Sequence, residues 1–119
     1  GGLENSERHA VATAQALNEI DPEYVGALTL MIPPGTPLYS LVENGEFEPM
    51  RPFDILRELR TMVTHLSLTN CVFRTNHASN YLPLRGTLSR DKQKILDVID
   101  RVIESHDEGA LRPSYLRGL

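Results

Sequence analysis

Apolar residues recur along this chain in two patterns, one typical of helices and the other typical of buried strands. Three stretches repeat apolar residues at three- and four-residue steps, which is the spacing of one helix face. They predict helices from about Ser6 to Ile20, from Pro52 to about Leu66 and from about Arg90 to Ser105. Asn5 or Ser6 is expected to cap the first helix with its side chain. Pro22 ends that helix, because proline disfavours helical geometry in the residue before it.

Each predicted helix has an apolar face that is expected to pack on the core. The residues on these faces are Ala10, Val11, Ala14, Leu17 and Ile20 in the first helix, Ile55, Leu56, Leu59, Met62, Val63 and Leu66 in the second, and Ile95, Leu96, Ile99, Val102 and Ile103 in the third. Asp91 lies near the start of the third helix, where a negative charge suits the helix dipole.

Two short apolar runs predict strands. Residues 24–32 form an almost unbroken run in which Thr29 is the only polar side chain, a pattern typical of a strand covered on both faces of a parallel sheet. Residues 70–74 form the second strand. Between the two strands, a proline-rich turn leads to a short helix over residues 38–43, with Thr36 as its N-cap and Pro37 at its first position.

The order of strand, helix and strand implies a right-handed parallel crossover. Two strands do not make a stable sheet, so either further strands are unrecognised or the chain is a piece of a larger α/β barrel or open sheet. We prefer the second interpretation. All 119 residues are expected to form one α/β domain, with residues 107–119 as a C-terminal tail too short for an element of its own.

Composition narrows the classes of function. The formal net charge of −4, without a basic stripe, argues against a nucleic-acid partner, and the apolar runs are too short to cross a membrane. The single cysteine, Cys71, excludes a disulfide or an all-cysteine metal site within this chain, and no metal ligand set is predicted. A lone cysteine fits a reducing compartment, so we expect a cytoplasmic protein.

Polar side chains cluster where the second strand ends, and binding sites of α/β proteins lie at the carboxyl ends of strands. The cluster contains Arg74, Thr75, Asn76, His77, Ser79 and Asn80. His77 can contact a ligand or move a proton near neutral pH, or it can satisfy backbone groups of its loop. Arg74 and Arg85 can each hold a carboxylate with two hydrogen bonds, although an ordinary ion pair fits as well.

Other candidates have structural interpretations that are at least as strong. Asn76, Asn80 and Tyr81 can form hydrogen bonds to a ligand, but asparagine in such a loop often bonds to the backbone of the loop itself. We interpret Cys71 as a small buried hydrophobe. His9, His65 and His106 have no partner at metal-ligand spacing and are expected on the surface. The Pro33–Thr36 turn offers backbone N–H groups that suit an anion or a nucleobase edge, or it is only a rigid turn.

Several stretches resemble one family. The run GGLENSERHAVATAQALNEIDPEYVGALTLMIPPGTPLY, the run TNCVFRTNHASNYLPLRGTL and the ending LRPSYLRGL are similar to the later part of radical S-adenosylmethionine (radical SAM) enzymes, in the bacterial group of Fe–S oxidoreductases or coproporphyrinogen-oxidase-like proteins. The resemblance covers nearly the whole chain. Its most specific parts are PGTPL and NHASNYLPLRGTL.

The resemblance implies a partial α/β barrel that binds a [4Fe–4S] cluster through a CxxxCxxC motif and cleaves S-adenosylmethionine to a radical. This chain lacks that motif, so the cluster and S-adenosylmethionine are cofactors expected of the parent enzyme and not of the fragment. The residues at its start match only the end of the family's G-x-I-x-G-x-x-E pattern, and residues 24–32 correspond to the sixth strand. The implied adenine-side residues are Gly1, Gly2, Glu4, Met31, Pro33 and Gly35, and the implied substrate residues are Arg74, Asn76, His77 and Asn80.

The resemblance therefore predicts the C-terminal part of a radical SAM oxidoreductase, inactive alone, whose partner is the rest of the barrel in the parent chain. The alternative is a stand-alone, non-catalytic α/β binding or interaction module. We also expect the isolated fragment to associate with itself, because strands cut from a barrel have bare edges and exposed apolar side chains.

Overall fold

The computed structural model describes residues 2–118, so Gly1 and Leu119 lie outside the described part. Its elements in chain order are α1 (Ser6–Ile20), β1 (Tyr24–Gly26), α2 (Pro37–Glu43), α3 (Pro52–His65), β2 (Val72–Arg74), β3 (Arg85–Thr87) and α4 (Lys92–Ser105), followed by short 3-10 turns at Glu108–Ala110 and Ser114–Leu116. The three main amphipathic helices predicted from the sequence are confirmed. None of the helices in residues 2–118 is long and apolar enough to span a membrane.

The three strands form one mixed sheet in the order β1-β2-β3. β1 and β2 are parallel, with Val25 opposite Phe73, which confirms the predicted parallel pairing. β2 and β3 are antiparallel. β3 is a strand that the sequence interpretation did not recognise, because it lies in the stretch that has no apolar periodicity. The arrangement confirms an α/β fold.

Gly86 is one reason why β3 cannot be recognised from the pattern of apolar residues. A Cβ atom at this position would lie 2.9 Å from Cβ of Asp91 and 3.0 Å from Cδ1 of Ile95. A glycine inside a strand often marks a close approach of another element. Here the missing side chain lets the start of α4 pack directly against β3. The same glycine therefore weakens the sequence pattern of a strand and improves the packing between α4 and β3.

The helices pack on one face of the sheet. α1 contacts α3, α3 contacts α4, and α4 contacts β3. Phe73 in the central strand is fully buried beneath them, together with Val63, Ile99 and Cys71. The predicted burial of Cys71 is therefore confirmed.

The opposite face of β1 is bare, so the prediction of a strand covered on both faces was wrong. Residues 24–32 form a ladder only over Tyr24–Gly26. Tyr24, Leu28 and Leu30 remain 60%, 63% and 60% exposed, whereas Val25 is buried. Side chains alternate between the two faces of a strand, so Tyr24 lies on the face opposite Val25, which the helices leave uncovered. Leu28 and Leu30 lie beyond the ladder and line an open cleft next to Val25.

Three details at the helix ends test the predictions, two of them on capping and one on the apolar face of α1. Thr36 caps α2 by accepting a hydrogen bond from N–H of Tyr39 at 3.2 Å, as predicted. Asn5 lies at the N-cap of α1 but makes no side-chain cap bond, so that prediction was wrong. Ile20, placed on the apolar face of α1, is instead 69% exposed at the last position of that helix.

Candidate functional site

The candidate site lies where the parallel strands β1 and β2 end. N–H of Ala27 donates to the Arg74 carbonyl at 3.0 Å, so the β1 backbone follows β2 to its last residue. Arg74 is half-buried there, and Asn76 and His77 are exposed just beyond it. The predicted substrate residues Arg74, Asn76 and His77 thus remain accessible at one end of the sheet.

Asn80 has a different position from its sequence neighbours. It is only 6% exposed. Its Nδ2 donates to the Ala27 carbonyl at 2.8 Å, and its Oδ1 accepts from Oγ1 of Thr29 at 2.9 Å. Asn80 therefore fastens the polar loop to the extended chain after β1, which supports the structural interpretation of this residue over that of a ligand reader.

Thr75 is another polar residue used by the fold. It is buried, its Oγ1 donates to the Leu82 carbonyl at 2.7 Å, and the same oxygen accepts from N–H of Leu84 at 2.7 Å. A buried hydroxyl that uses both its donor and its acceptor costs little desolvation energy. Thr75 closes the base of the loop that connects β2 to β3.

His77 is exposed but has an ordered ring. Its Nδ1 accepts from N–H of Ser79 at 3.2 Å and lies 3.0 Å from Oγ of Ser79. Because Nδ1 is an acceptor, the neutral ring carries its proton on Nε2. This geometry leaves an N–H donor on the far side of the ring, which suits hydrogen bonding to a ligand oxygen.

Two arginines of the C-terminal tail hold the same loop, and the sequence interpretation missed them. Nη1 of Arg112 donates to the carbonyls of His77, Ala78 and Asn80 at 3.0, 2.7 and 3.1 Å. Arg117 donates from Nε to the Ser79 carbonyl at 2.6 Å, and its guanidinium lies 4.0 Å from the centre of the Tyr81 ring. The tail thus holds residues 77–81 in place, and its two arginines in a segment without an element of its own were the available signal.

The residues implied for the adenine side do not form one cluster of contacts. Gly2 adopts φ 78° and lies beside Phe47, whereas Glu4 is exposed at the start of α1. Met31 and Pro33 are half-buried, and Gly35 is exposed in its turn with φ 84°. Gly1 lies outside the described residues. Of the described five, only Gly2 lines the principal cleft.

That cleft has a volume of about 460 Å³ and lies between β1, α1, α3 and the segment before α3. Its walls are mainly apolar and include Ala10, Leu17, Val25, Leu28, Leu30 and Met62. The Glu58 carboxylate is its principal charged group. Oε1 of Glu58 lies 3.7 Å from Nδ1 of His9, and Oε2 is buried without a hydrogen-bond partner among residues 2–118.

The donor set does not fit an iron–sulfur cluster. Cluster irons are held by cysteine thiolates, and burial raises the pKa of Cys71, the sole thiol, inside the core. Within residues 2–118, no group of three histidine, cysteine or carboxylate residues is placed to hold a metal ion. No step of cluster chemistry is therefore assigned to the residues of this chain.

The chain was compared with protein-family models, with curated proteins and with solved structures, and none of the three comparisons gives a match.

Proposed function

We propose that this chain is the C-terminal part of a radical SAM oxidoreductase. In this proposal β1 and β2 are adjacent parallel strands of a partial barrel, and the fragment alone is inactive. The observation that supports it best is the one-sided cover of β1: Val25 is buried on the helix side, while Tyr24 on the other face is 60% exposed. In a barrel that other face lines the interior.

The free edge of β1 supports the same proposal. The Glu23 carbonyl and N–H of Ala27 bond to β2, so the backbone groups of Tyr24 and Gly26 point to the opposite side. Within residues 2–118, β1 has no strand neighbour on that side. An unpaired edge of an apolar strand is normally covered or paired, and a preceding barrel strand would supply the pairing.

The cleft also accommodates this arrangement. Val25 and Ala27 line it from β1, and Ala10 and Leu17 line it from α1. Side chains of a strand added at the β1 edge would enter this space on the helix-facing side. In the completed barrel, Arg74, Asn76 and His77 would face the substrate, and Gly1, Gly2, Glu4, Met31, Pro33 and Gly35 would lie on the adenine side of S-adenosylmethionine.

The test uses the longer protein that contains this chain. Replacing Arg74, Asn76 or His77 by alanine should lower the turnover of S-adenosylmethionine to 5′-deoxyadenosine more than it lowers the melting temperature, because these residues lie at the strand ends and not in the core. Arg101→Ala, on the exposed face of α4, is the matched control. A sharp fall in melting temperature with normal turnover per folded molecule would make the three residues scaffold and refute the site.

The second candidate is a stand-alone, non-catalytic binding module, and the cleft is the observation that favours it. A mainly apolar cavity with one convergent charged group is a common form of small-molecule site, and Glu58 is that group here. The two functions are distinguished by the coding sequence upstream of Gly1. A CxxxCxxC motif there supports the barrel, and a start codon close to Gly1 supports the module.

A further inference from the structure

The exposed face of the sheet has an unusual charge arrangement. Arg74 and Arg85 are direct register partners in the antiparallel pair of β2 and β3. Direct partners place their side chains on the same face, and like charges in such positions are destabilising. A protein with a net charge of −4 has ample carboxylates to separate two arginines, yet these two are adjacent.

The hydrogen-bond pattern brings this pair as close as a sheet allows. N–H of Thr75 donates to the Leu84 carbonyl and N–H of Leu88 donates to the Cys71 carbonyl, both at 2.9 Å. Hydrogen-bonded and non-hydrogen-bonded pairs alternate along an antiparallel ladder, so Arg74 and Arg85 form a non-hydrogen-bonded pair. Their Cα atoms are therefore separated by about 4.5 Å, the shorter of the two spacings.

Three other arginines show a pairing that Arg74 and Arg85 lack, although the exposed Arg8, Arg51 and Arg101 lack it too. Arg57, Arg60 and Arg90 each pair with an aspartate. Neither Arg74 nor Arg85 takes part in the salt bridges or side-chain hydrogen bonds found in the described part of the chain. Two guanidinium groups thus present their full donor capacity from one patch.

The neighbouring positions keep the patch open. Gly26 is the register partner of Arg74 on the other side, so the row across the sheet is Gly26, Arg74, Arg85 with no side chain at its first place. The Tyr24 ring borders this row, because its Cε1 would lie 3.7 Å from a Cβ at Gly26. The row ends at the carboxyl ends of the parallel strands, the usual location of ligands in α/β sheets.

We infer that Arg74 and Arg85 together form a binding site for the carboxylate or phosphate group of a small-molecule ligand. Guanidinium groups bind such oxyanions through paired hydrogen bonds, and a bound anion would remove the repulsion between them. The site depends only on the sheet register and does not require the barrel. That its ligand is the substrate of a radical enzyme is an extension that rests on the proposed function.

The experiment is an NMR titration of the 119-residue chain with inorganic phosphate and, separately, with succinate. Ionic strength is held constant with sodium chloride. The arginine Nε–Hε signals of residues 74 and 85 should shift and saturate. Replacing either arginine by glutamine should weaken affinity by about tenfold or more, since a charged hydrogen bond contributes that much. Arg74→Lys, which keeps the charge but loses the paired donors, should give an intermediate affinity.

Arg101→Gln, which removes one charge from an exposed position on α4, is the matched control and should leave affinity within about twofold, because only long-range screened charge is lost. Thermal melting provides the second readout. Phosphate should raise the melting temperature of the unsubstituted 119-residue chain and not that of the Arg74→Gln/Arg85→Gln double variant.

Several results would overturn the inference. They are the absence of saturable shifts at constant ionic strength, equal affinity in the double variant, and saturation at the tail arginines instead of residues 74 and 85. Failure of this titration would leave the barrel proposal standing, and a start codon close to Gly1 would leave the anion site standing.

Discussion

Replacing Leu28 and Leu30 together by serine should abolish self-association of the chain without unfolding it. Both side chains follow β1 in the chain and line the open cleft beside it, with 63% and 60% of their surface exposed. Two copies that pair through this region would bury these side chains twice, once from each protomer. The double variant Leu28→Ser/Leu30→Ser removes that apolar surface and leaves the helix-facing residues intact.

The exposed fractions set the size of the effect. Burying a whole leucine side chain contributes about 1.5–3 kcal/mol, so the exposed part of each residue contributes about 1–2 kcal/mol. Four such side chains in a two-fold dimer give about 4–8 kcal/mol before association costs of about 4–15 kcal/mol. The four leucines alone therefore do not hold a dimer together, and Tyr24 and strand pairing must supply the remainder.

Sedimentation equilibrium or light scattering coupled to size exclusion, at protein concentrations from about 10 to 500 μM, measures the dimer. The double variant should weaken dimerisation by at least about a hundredfold and change the free energy of unfolding by less than about 0.5 kcal/mol. Ile20→Ser is the control, because Ile20 is 69% exposed but lies on α1. If the unsubstituted chain is monomeric at all these concentrations, or if the double variant dimerises as strongly as the unsubstituted chain, the reasoning is refuted and a stand-alone module is favoured.

Three further predictions concern stability and reactivity. Lys92→Ala should destabilise the fold by about 1–2 kcal/mol in urea unfolding, because its Nζ donates to two carbonyls at the end of α3 at 2.6 and 2.7 Å; Lys94→Ala, 81% exposed, should have almost no effect, and equal losses would contradict the assignment. The Arg90 guanidinium beside Asp91 holds the pKa of that carboxyl at about 2, against an ordinary value of 3.8. The stabilisation that the ionised carboxyl provides above pH 3.8 should therefore be lost as the pH falls towards 2. Asp91→Asn should flatten that part of the acid-unfolding curve, and an unchanged slope would contradict this role of Asp91. Burial raises the pKa of Cys71, so a thiol reagent at pH 8 should react only as fast as the chain unfolds, and rapid labelling of folded protein would contradict the buried position.

The helices were predictable because their signals are local. Proline at position 52, the threonine cap at position 36 and the three- and four-residue apolar steps each act within one or two turns. Residues Leu56, Val63, Ile95 and Ile99 are buried as their spacing indicates. The parallel pairing of β1 and β2 also followed from the strand–helix–strand order, which constrains the handedness and direction of a crossover.

The sheet was harder to predict because its cover is a long-range property. The run of residues 24–32 has the composition of a strand buried on both faces, and composition does not show that only one face is covered in these 119 residues. β3 was not predicted because its central residue is Gly86, which is not typical of strands. A glycine is needed there because α4 packs too close to β3 for a Cβ atom. The Arg74–Arg85 pair was likewise hidden, since its members are eleven positions apart and only the register makes them neighbours.

The tail was underestimated for the same reason. Arg112 and Arg117 lie more than thirty residues from the loop that they hold, and nothing local marks their partners. Asn80 also changed its interpretation once the fold brought it to Ala27 and Thr29. Local patterns therefore placed the polar loop correctly, but which of its residues are free for a ligand depended on distant contacts.

The most direct test of the central claim is the mass and iron content of the endogenous protein that contains this chain. The proposal predicts a protein well above 13.3 kDa that carries a CxxxCxxC motif upstream of Gly1 and holds about four irons with matching sulfide after anaerobic reconstitution. The 119-residue chain alone should hold none. An endogenous protein of 13.3 kDa without iron, or about four irons bound to the isolated chain, would contradict the claim.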